Sequence, residues 1–444
     1  MGVLLAAAVI AQVTPAAFAP QVETPLGPTG CTAGVDCSDS PLASVAGDFN
    51  GDAKLDIATA NNGSDDVTIL LGDGAGGLTV GATPLAGSAP AGIAAGLLDA
   101  DAVLDLVVSN EFGNDISVLI GNGDGTFAAA VSVAMGGSPE GVVLADFNAD
   151  GNTDVATADN FSDTVSVRLG NGDGTFGELL QTPVAGDPLG LAVGRLDAGD
   201  DEDLVVSLAE PDVNSIVVLT GNGDGTFAVG EPLAVEESPT GVVIARLDGD
   251  AANDIAVANE FSDTVSVLLN NGDGTFADAV SYEVGGFPEA VTAGDYNVDG
   301  ITDLATADSF GTLEFFDGTA SVLLGVGDGT FEPAVQFATS FSPYGITTAD
   351  LDNDRVPDLV TDNLDGASVS VLVNLAAPPV PACVGDCNDN GTVAINELII
   401  GVNIALGSQS LDACEAFDAN GNGTVGINEL ISGVNNALNG CPAE

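Results

Sequence analysis

Histidine and tryptophan are absent from the 444 residues, and Lys plus Arg number only 5 against 66 Asp plus Glu. Without histidine the chain lacks the commonest general base and the commonest imidazole metal ligand. Without tryptophan, and with Tyr limited to 3, sugar stacking would fall to a small aromatic set. A formal charge of −61 excludes nucleic acid and anionic membrane surfaces, whose binders present a basic face. No apolar stretch approaches the roughly 20 residues of a membrane-spanning helix, so membrane insertion is not expected.

What is present is a core-forming composition. Hydrophobic residues make up 45%, so the acidity does not indicate disorder, and 59 glycines without a triplet period indicate many tight turns rather than collagen. The metal chemistry left by these absences is that of hard cations and oxygen ligands, with calcium the natural ion.

Residues 2–11 form a short apolar run, followed by the A-x-A arrangement Ala17, Phe18, Ala19. This resembles a secretory signal peptide over 1–19, although no Lys or Arg precedes the run; a frayed apolar terminus is the plainer alternative. The six cysteines support export to an extracellular or cell-surface location. Cys31 and Cys37 lie near one end, and Cys383, Cys387, Cys414 and Cys441 near the other, which reads as two stapled regions in an oxidising space. Zinc is the alternative for the second group, and its four cysteines allow three pairings.

Residues 41–374 are organised by a repeat. The stretch DFNGDAKLD over 48–56 sets a register whose first position recurs at Leu97, Asp146, Arg195, Arg246, Asp295 and Asp350, giving seven copies. The ninth position is always aspartate: Asp56, Asp105, Asp154, Asp203, Asp254, Asp303 and Asp358. A proline stands seven residues before each first position: Pro41, Pro90, Pro139, Pro188, Pro239, Pro288 and Pro343. In the third copy, two-residue alternation and the turn GNGDGTF over 170–176 predict strands at 141–147, 154–159, 164–170 and about 178–184. Four-stranded antiparallel units at a period near 50 predict an all-β fold, a seven-bladed β-propeller. A calcium-binding β-solenoid is rejected, because its repeats would stand back to back. The seventh copy ends without a fourth strand, so residues 22–30, within an N-terminal segment 20–40, are expected to supply it and close the ring.

With Asp-x-Asn/Asp-x-Asp-Gly-x-x-Asp followed by an apolar strand and later GDGTF, residues 41–374 resemble the FG-GAP or VCBS repeats of integrin-like β-propellers. The resemblance implies one Ca2+ per intact loop. The residues give the same reading on their own, since oxygens at positions 1, 3, 5 and 9 with a carbonyl near 7 can wrap a hard cation. Four copies are complete: Asp48/Asn50/Asp52/Asp56, Asp146/Asn148/Asp150/Asp154, Asp295/Asn297/Asp299/Asp303 and Asp350/Asp352/Asp354/Asp358. The second copy keeps Asp99, Asp101 and Asp105; the fourth and fifth begin with Arg195 and Arg246, whose guanidinium groups are expected to replace the ion by pairing with the loop carboxylates, a surface salt bridge being the plainer alternative.

Beyond a proline-rich linker at 375–382, residues 383–444 hold a duplication of period 32. Asp386, Asn388, Asn390, Thr392 and Glu397, then Asp418, Asn420, Asn422, Thr424 and Glu429, occupy ligand positions of a 12-residue calcium loop, each leading into an apolar-patterned helix. A loop with only its exiting helix, present twice, resembles a dockerin module. That resemblance implies two more Ca2+ and a cohesin-like partner; Glu in place of Asp at position 12 and the flanking cysteines depart from it.

The expected function is a secreted or cell-surface calcium-binding module for a protein or glycan, with no catalytic residue assigned. A polysaccharide-active lyase or hydrolase is the alternative. The contact surface is expected on the face opposite the calcium loops, where copy six carries a longer connection with Leu313, Phe315 and Phe316. Phe112, Phe161 and Phe261 in equivalent connections are expected to pack between blades, a contact patch being their other reading.

Overall fold

The computed structural model describes residues 16–26, 39–210, 213–310, 318–376, 387, 393–406 and the single positions 408, 410, 414, 417, 425, 430, 431, 434 and 437. The chain divides into two compact units, Met1–Ala376 and Ala377–Glu444.

The first unit is a propeller of seven antiparallel sheets. In the third blade the strands are Pro139–Ala145, Asp154–Asp159, Thr164–Gly170 and Phe176–Pro183, so the innermost strand begins two residues earlier than its pattern predicts. The reason is the proline. It is the first residue of the inner strand in six blades, preceded by a left-handed residue such as Ser40, Ala89 or Ser138, and lies just before a register shift that reads as a β-bulge. A proline lacks the N–H that a ladder needs, and the strand edge is where that loss is tolerated.

The second strand of each blade, such as Asp105–Asn110 or Asp203–Leu208, is buried along its whole length, because neighbouring blades cover both faces. Continuous apolar and small residues suit that place. Outer strands such as Val131–Ala134 are mostly exposed.

Ring closure follows the expectation. Val22–Pro25 pairs with Ser368–Leu372 in the register Val22 to Val371 and Pro25 to Ser368. Glu23 Oε1 accepts hydrogen bonds from Ser340 Oγ (2.9 Å) and Ser368 Oγ (2.7 Å). The segment before it continues the edge: Ala19 N donates to Val373 O at 2.8 Å, and Phe18 packs edge-on against Phe337 at 4.9 Å.

Neighbouring blades are latched at both rims. On the acid-loop face a hairpin glycine donates to the preceding blade's loop, as from Gly125 N to Phe49 O (2.9 Å), Gly174 N to Leu98 O (2.8 Å) and Gly225 N to Phe147 O (3.1 Å). On the opposite face Asp65, Asn114 and Asp263 accept from the N–H of Ala89 (2.8 Å), Ser138 (2.9 Å) and Phe287 (3.0 Å) in the next blade.

In the second unit the helix Ile395–Ala405 buries Ile404 in a cluster with Cys414, Phe417 and Val425, and Cys387 is disulfide-bonded to Cys414. This selects one of the pairings left open by the sequence. Of the expected ligands here only Glu397 is described; Asp386, Asn388, Asn390, Thr392, Asp418, Asn420, Asn422, Thr424 and Glu429 lie outside the described residues.

Candidate metal centres in the acid loops

Each acid loop joins the first strand of a blade to the second, and its ninth residue opens that second strand. This aspartate is 0–1% exposed in all seven blades. One of its oxygens accepts the N–H of the loop's second residue, and the other accepts an N–H at the far end of the third strand, over 2.7–3.1 Å. In the fourth blade, for example, Leu196 N and Gly221 N donate to Asp203 at 2.8 and 2.9 Å. The ninth aspartate is therefore a staple between strands whether or not the loop carries an aspartate at its first position. Each of its oxygens keeps a further lone pair for a cation. Burial pushes these carboxyls up against the pull of the two N–H donors, Asp303 to about 7 and Asp358 to about 6.

The first residue divides the loops into two kinds. Where it is aspartate, its two oxygens gather the N–H groups of the turn. Asp146 accepts from Asp150 N (3.2 Å) and Gly151 N (2.8 Å), Asp295 from Asp299 N (3.1 Å) and Gly300 N (2.8 Å), and Asp350 from Asp354 N (3.0 Å) and Arg355 N (2.9 Å). Asp48 does the same with Asp52 N (3.1 Å) and Ala53 N (2.8 Å). All four of these loops place positions 4 and 6 in the left-handed region, including Ala53, Ala149, Val298, Asn353 and Arg355. For a β-branched residue such as Val298, at φ 60°, this is a strained conformation. None of the corresponding residues in the second, fourth and fifth loops has a positive φ.

Positions 3 and 5 complete the set. Asn50 and Asn148 accept the N–H of Asp52 and Asp150 at 2.9 Å, and Asn297 that of Asp299 at 3.1 Å, so side-chain oxygens are held within one turn. In the seventh loop, carboxylate oxygens of Asp350, Asp352 and Asp358 lie within 4.8 Å of one another. An oxygen-only donor set held by a strained turn, with carboxylates in excess of the one ion pair these loops make among the described residues, Lys54 Nζ to Asp52 at 3.4 Å in the first, fits a hard divalent cation. Asp99 and Asp101 each accept only the N–H two residues ahead, at 2.9 and 2.8 Å, and stay on an open turn beside Asp105.

The two arginines do not take the ion's place. Arg195 Nε pairs with Glu202 Oε1 at 3.2 Å and its Nη1 approaches Asp200 at 4.0 Å, with the side chain 53% exposed. Arg246 makes no ion pair among the described residues. Asp197 and Asp203 are thus left without a guanidinium, because carboxylates at positions 6 and 8 of the fourth loop lie outward, where hydration of the pair is kept.

The opposite face holds groups the sequence did not single out. Leu42, Ala91, Glu140, Leu189, Thr240, Glu289 and Tyr344, each following the register proline of its blade, converge around an axial cavity of 220 Å3. Counting one place past each proline groups these residues in the sequence; closing the ring brings them together. Burial, together with the charges of Glu111 and Glu260, pushes Glu140 up to about 7 and Glu289 up to about 8. Phe112, Phe161 and Phe261 are 67%, 78% and 61% exposed, so none is buried between blades, although Phe261 touches Phe287 of the next blade at the rim. Phe161 and Phe261 ride on the short 3-10 turns Asn160–Ser162 and Glu260–Ser262, whose side chains point off the sheet. Phe261, Phe287 and Phe310 form a continuous arc, with ring centroids 6.0 and 5.2 Å apart. Leu313, Phe315 and Phe316 lie outside the described residues.

Comparison with known proteins agrees with this architecture. The FG-GAP-like repeat family matches residues 98–157, 246–306 and 307–361, and the chain carries FG-GAP-like repeats. No curated protein matches it by sequence. Virginiamycin B lyase from Staphylococcus aureus is similar in structure at 13% identity and TM-score 0.54, over 80% of this chain and 99% of that one. BBS1N, solved in complex with ARL6DN, is similar at 14% identity and TM-score 0.54, over 77% and 96%. These likenesses carry the propeller fold and nothing finer.

Proposed function

We propose that this protein is a secreted or cell-surface, calcium-binding propeller that acts as a protein- or glycan-binding, adhesion-type module. The observation that carries the reading is the division of labour between the two rims. One rim holds four loops shaped for cations; the other holds exposed aromatics around a carboxylate-lined mouth.

Calcium would be held by the oxygens of the first, third, sixth and seventh loops, where it supplies charge neutralisation and no bond chemistry. The loops meet the next blade through hairpin contacts, so filling them stiffens the rim and leaves the opposite face as the working surface. Four of the five basic residues, Lys54, Arg195, Arg246 and Arg355, stand in acid loops, and the fifth, Arg168, lies in a blade strand. The face with Glu111, Glu140, Glu260 and Glu289 therefore carries no cation of its own, and its aromatic arc favours a partner that brings one.

The second unit supports a protein partner as well. Ile395, Ile399, Val402 and Leu406 are exposed at spacings of 4, 3 and 4 along one helix stripe, and Ile431 and Val434 are exposed 32 residues after Ile399 and Val402. An apolar stripe repeated in both halves suits docking by a cohesin-like domain.

A glycan array and a protein-binding screen, each run in calcium and in chelator, test the reading. Calcium-dependent binding without turnover, weakened by Phe261→Ala/Phe287→Ala, is expected. A depolymerised polysaccharide, or binding indifferent to both calcium and these phenylalanines, would overturn it.

A further inference from the structure

In the second and fourth blades a serine clips the inner strand to the next blade. Ser109 Oγ accepts from Gly92 N (2.8 Å) and donates to Glu140 O (2.5 Å); Ser207 Oγ accepts from Gly190 N (2.8 Å) and donates to Thr240 O (2.6 Å). In the seventh blade this position is Asp362, fully buried at the seam where the last blade meets the first. A Cβ built on Gly345 would lie 2.6 Å from Asp362 Oδ2 and 2.6 Å from Leu42 O, the arrangement found at Gly92 with Ser109 Oγ at 3.0 Å and Glu140 O at 2.6 Å.

A carboxylate in that place has no donor. Neither oxygen of Asp362 has a hydrogen-bond partner: the nearby Thr59 hydroxyl donates to Asn61 Oδ1 (3.5 Å), and the Ser44 hydroxyl is shared with Thr347 Oγ1 (3.1 Å). A buried charge facing a carbonyl is unfavourable, whereas a protonated carboxyl can donate as the serine does. We propose that Asp362 is held as a neutral acid that donates its proton to the Leu42 carbonyl, a proton-dependent latch on the closing seam of the ring.

The elements packed against it bring Gly345, Leu42, Ala43, Ser44 and Thr59, none of them charged. Burial pushes the carboxyl up from 3.8 to about 6, with those two hydroxyls pulling the other way. The sign follows from the raised value. The latch's contribution is full below the unfolded value, declines as pH rises, and is gone above about 6. Leu42, Ser44 and Gly345 also line the axial cavity, so loosening the seam loosens its mouth.

Melting of the full chain and of Asp362→Asn, Asp362→Ser and Asp362→Ala from pH 4.5 to 8, in calcium and in chelator, tests this independently of metal. Asn and Ser supply a donor without a charge, so both should melt several degrees above the parent at pH 8 and close to it at pH 4.5. Ala should fall below Asn at every pH. Parent and Asp362→Asn curves that run parallel would overturn the latch, and so would Ala matching Asn. Should one variant fail to fold, infrared difference spectra of the parent minus a variant that does fold, with aspartate labelled in its carboxyl, decide it: a protonated-carboxyl band present in the parent and missing from the variant must be lost near pH 6, and identical spectra at pH 4.5 refute the proposal.

Discussion

The acid loops of the first, third, sixth and seventh blades and those of the second, fourth and fifth occupy equivalent places yet differ in backbone conformation. Both groups keep the ninth aspartate, buried and bonded to two N–H groups. Only the first group keeps an aspartate at position 1, and only there does the turn fold into two left-handed residues. The difference shows that one repeated motif does two jobs. Its end fastens a blade together, and its beginning gathers side-chain oxygens in a tight turn that fits a hard cation.

The largest effect expected concerns the cation itself. At a calcium concentration a hundred times the dissociation constant, each filled site adds about 2.7 kcal/mol. Calorimetry at matched ionic strength should therefore show a much higher melting temperature in calcium than in EDTA; equal melting temperatures would remove the distinction between the loops.

Next come substitutions that separate the two jobs. Asp203→Ala leaves two buried N–H groups without an acceptor and should cost about 2–4 kcal/mol in calcium and in EDTA alike. Asp295→Ala should cost most in calcium, because it removes a ligand and the organiser of the turn. Urea unfolding of both variants in both conditions tests the contrast.

Backbone strain gives a smaller and opposite signal. Val298→Gly relieves a left-handed valine and should stabilise the metal-free protein by about 1 kcal/mol, whereas Ala100→Gly, where φ is negative, should destabilise it by up to about 1 kcal/mol. Stoichiometry sharpens the comparison further. Leu97→Asp alone should add no calcium in titration calorimetry, and Leu97→Asp with Ala100→Gly and Ala102→Gly should add one. Smallest of all, Arg195→Ala breaks an exposed pair and should change stability by about 0–1 kcal/mol.

Much of the fold was legible because strand period and the register proline agree in every copy, and the turn glycines in the first six. The closing strand at Val22–Pro25 was legible for a different reason: a seventh blade with three strands leaves an edge that must be filled. Arg195 was misread because spacing says which residues share a loop but not which way a side chain leaves it. Phe161 and Phe261 were misread because their 3-10 turns lift them off the sheet, which alternation along a strand does not reveal.

The amino-acid order by itself determined the number of blades, their boundaries and which loops hold a full set of oxygen-bearing side chains, since these depend on local periodicity and on residue type at fixed spacing. Only the tertiary structure decided that Glu140, Glu289 and Tyr344 meet at the axis, that Asp362 is shut into the closing seam, and that the ninth aspartate staples two strands through both of its oxygens. Those outcomes depend on residues from different blades, or different strands, arriving at one point. Such convergence is set by ring closure and by burial, which no stretch of sequence carries alone.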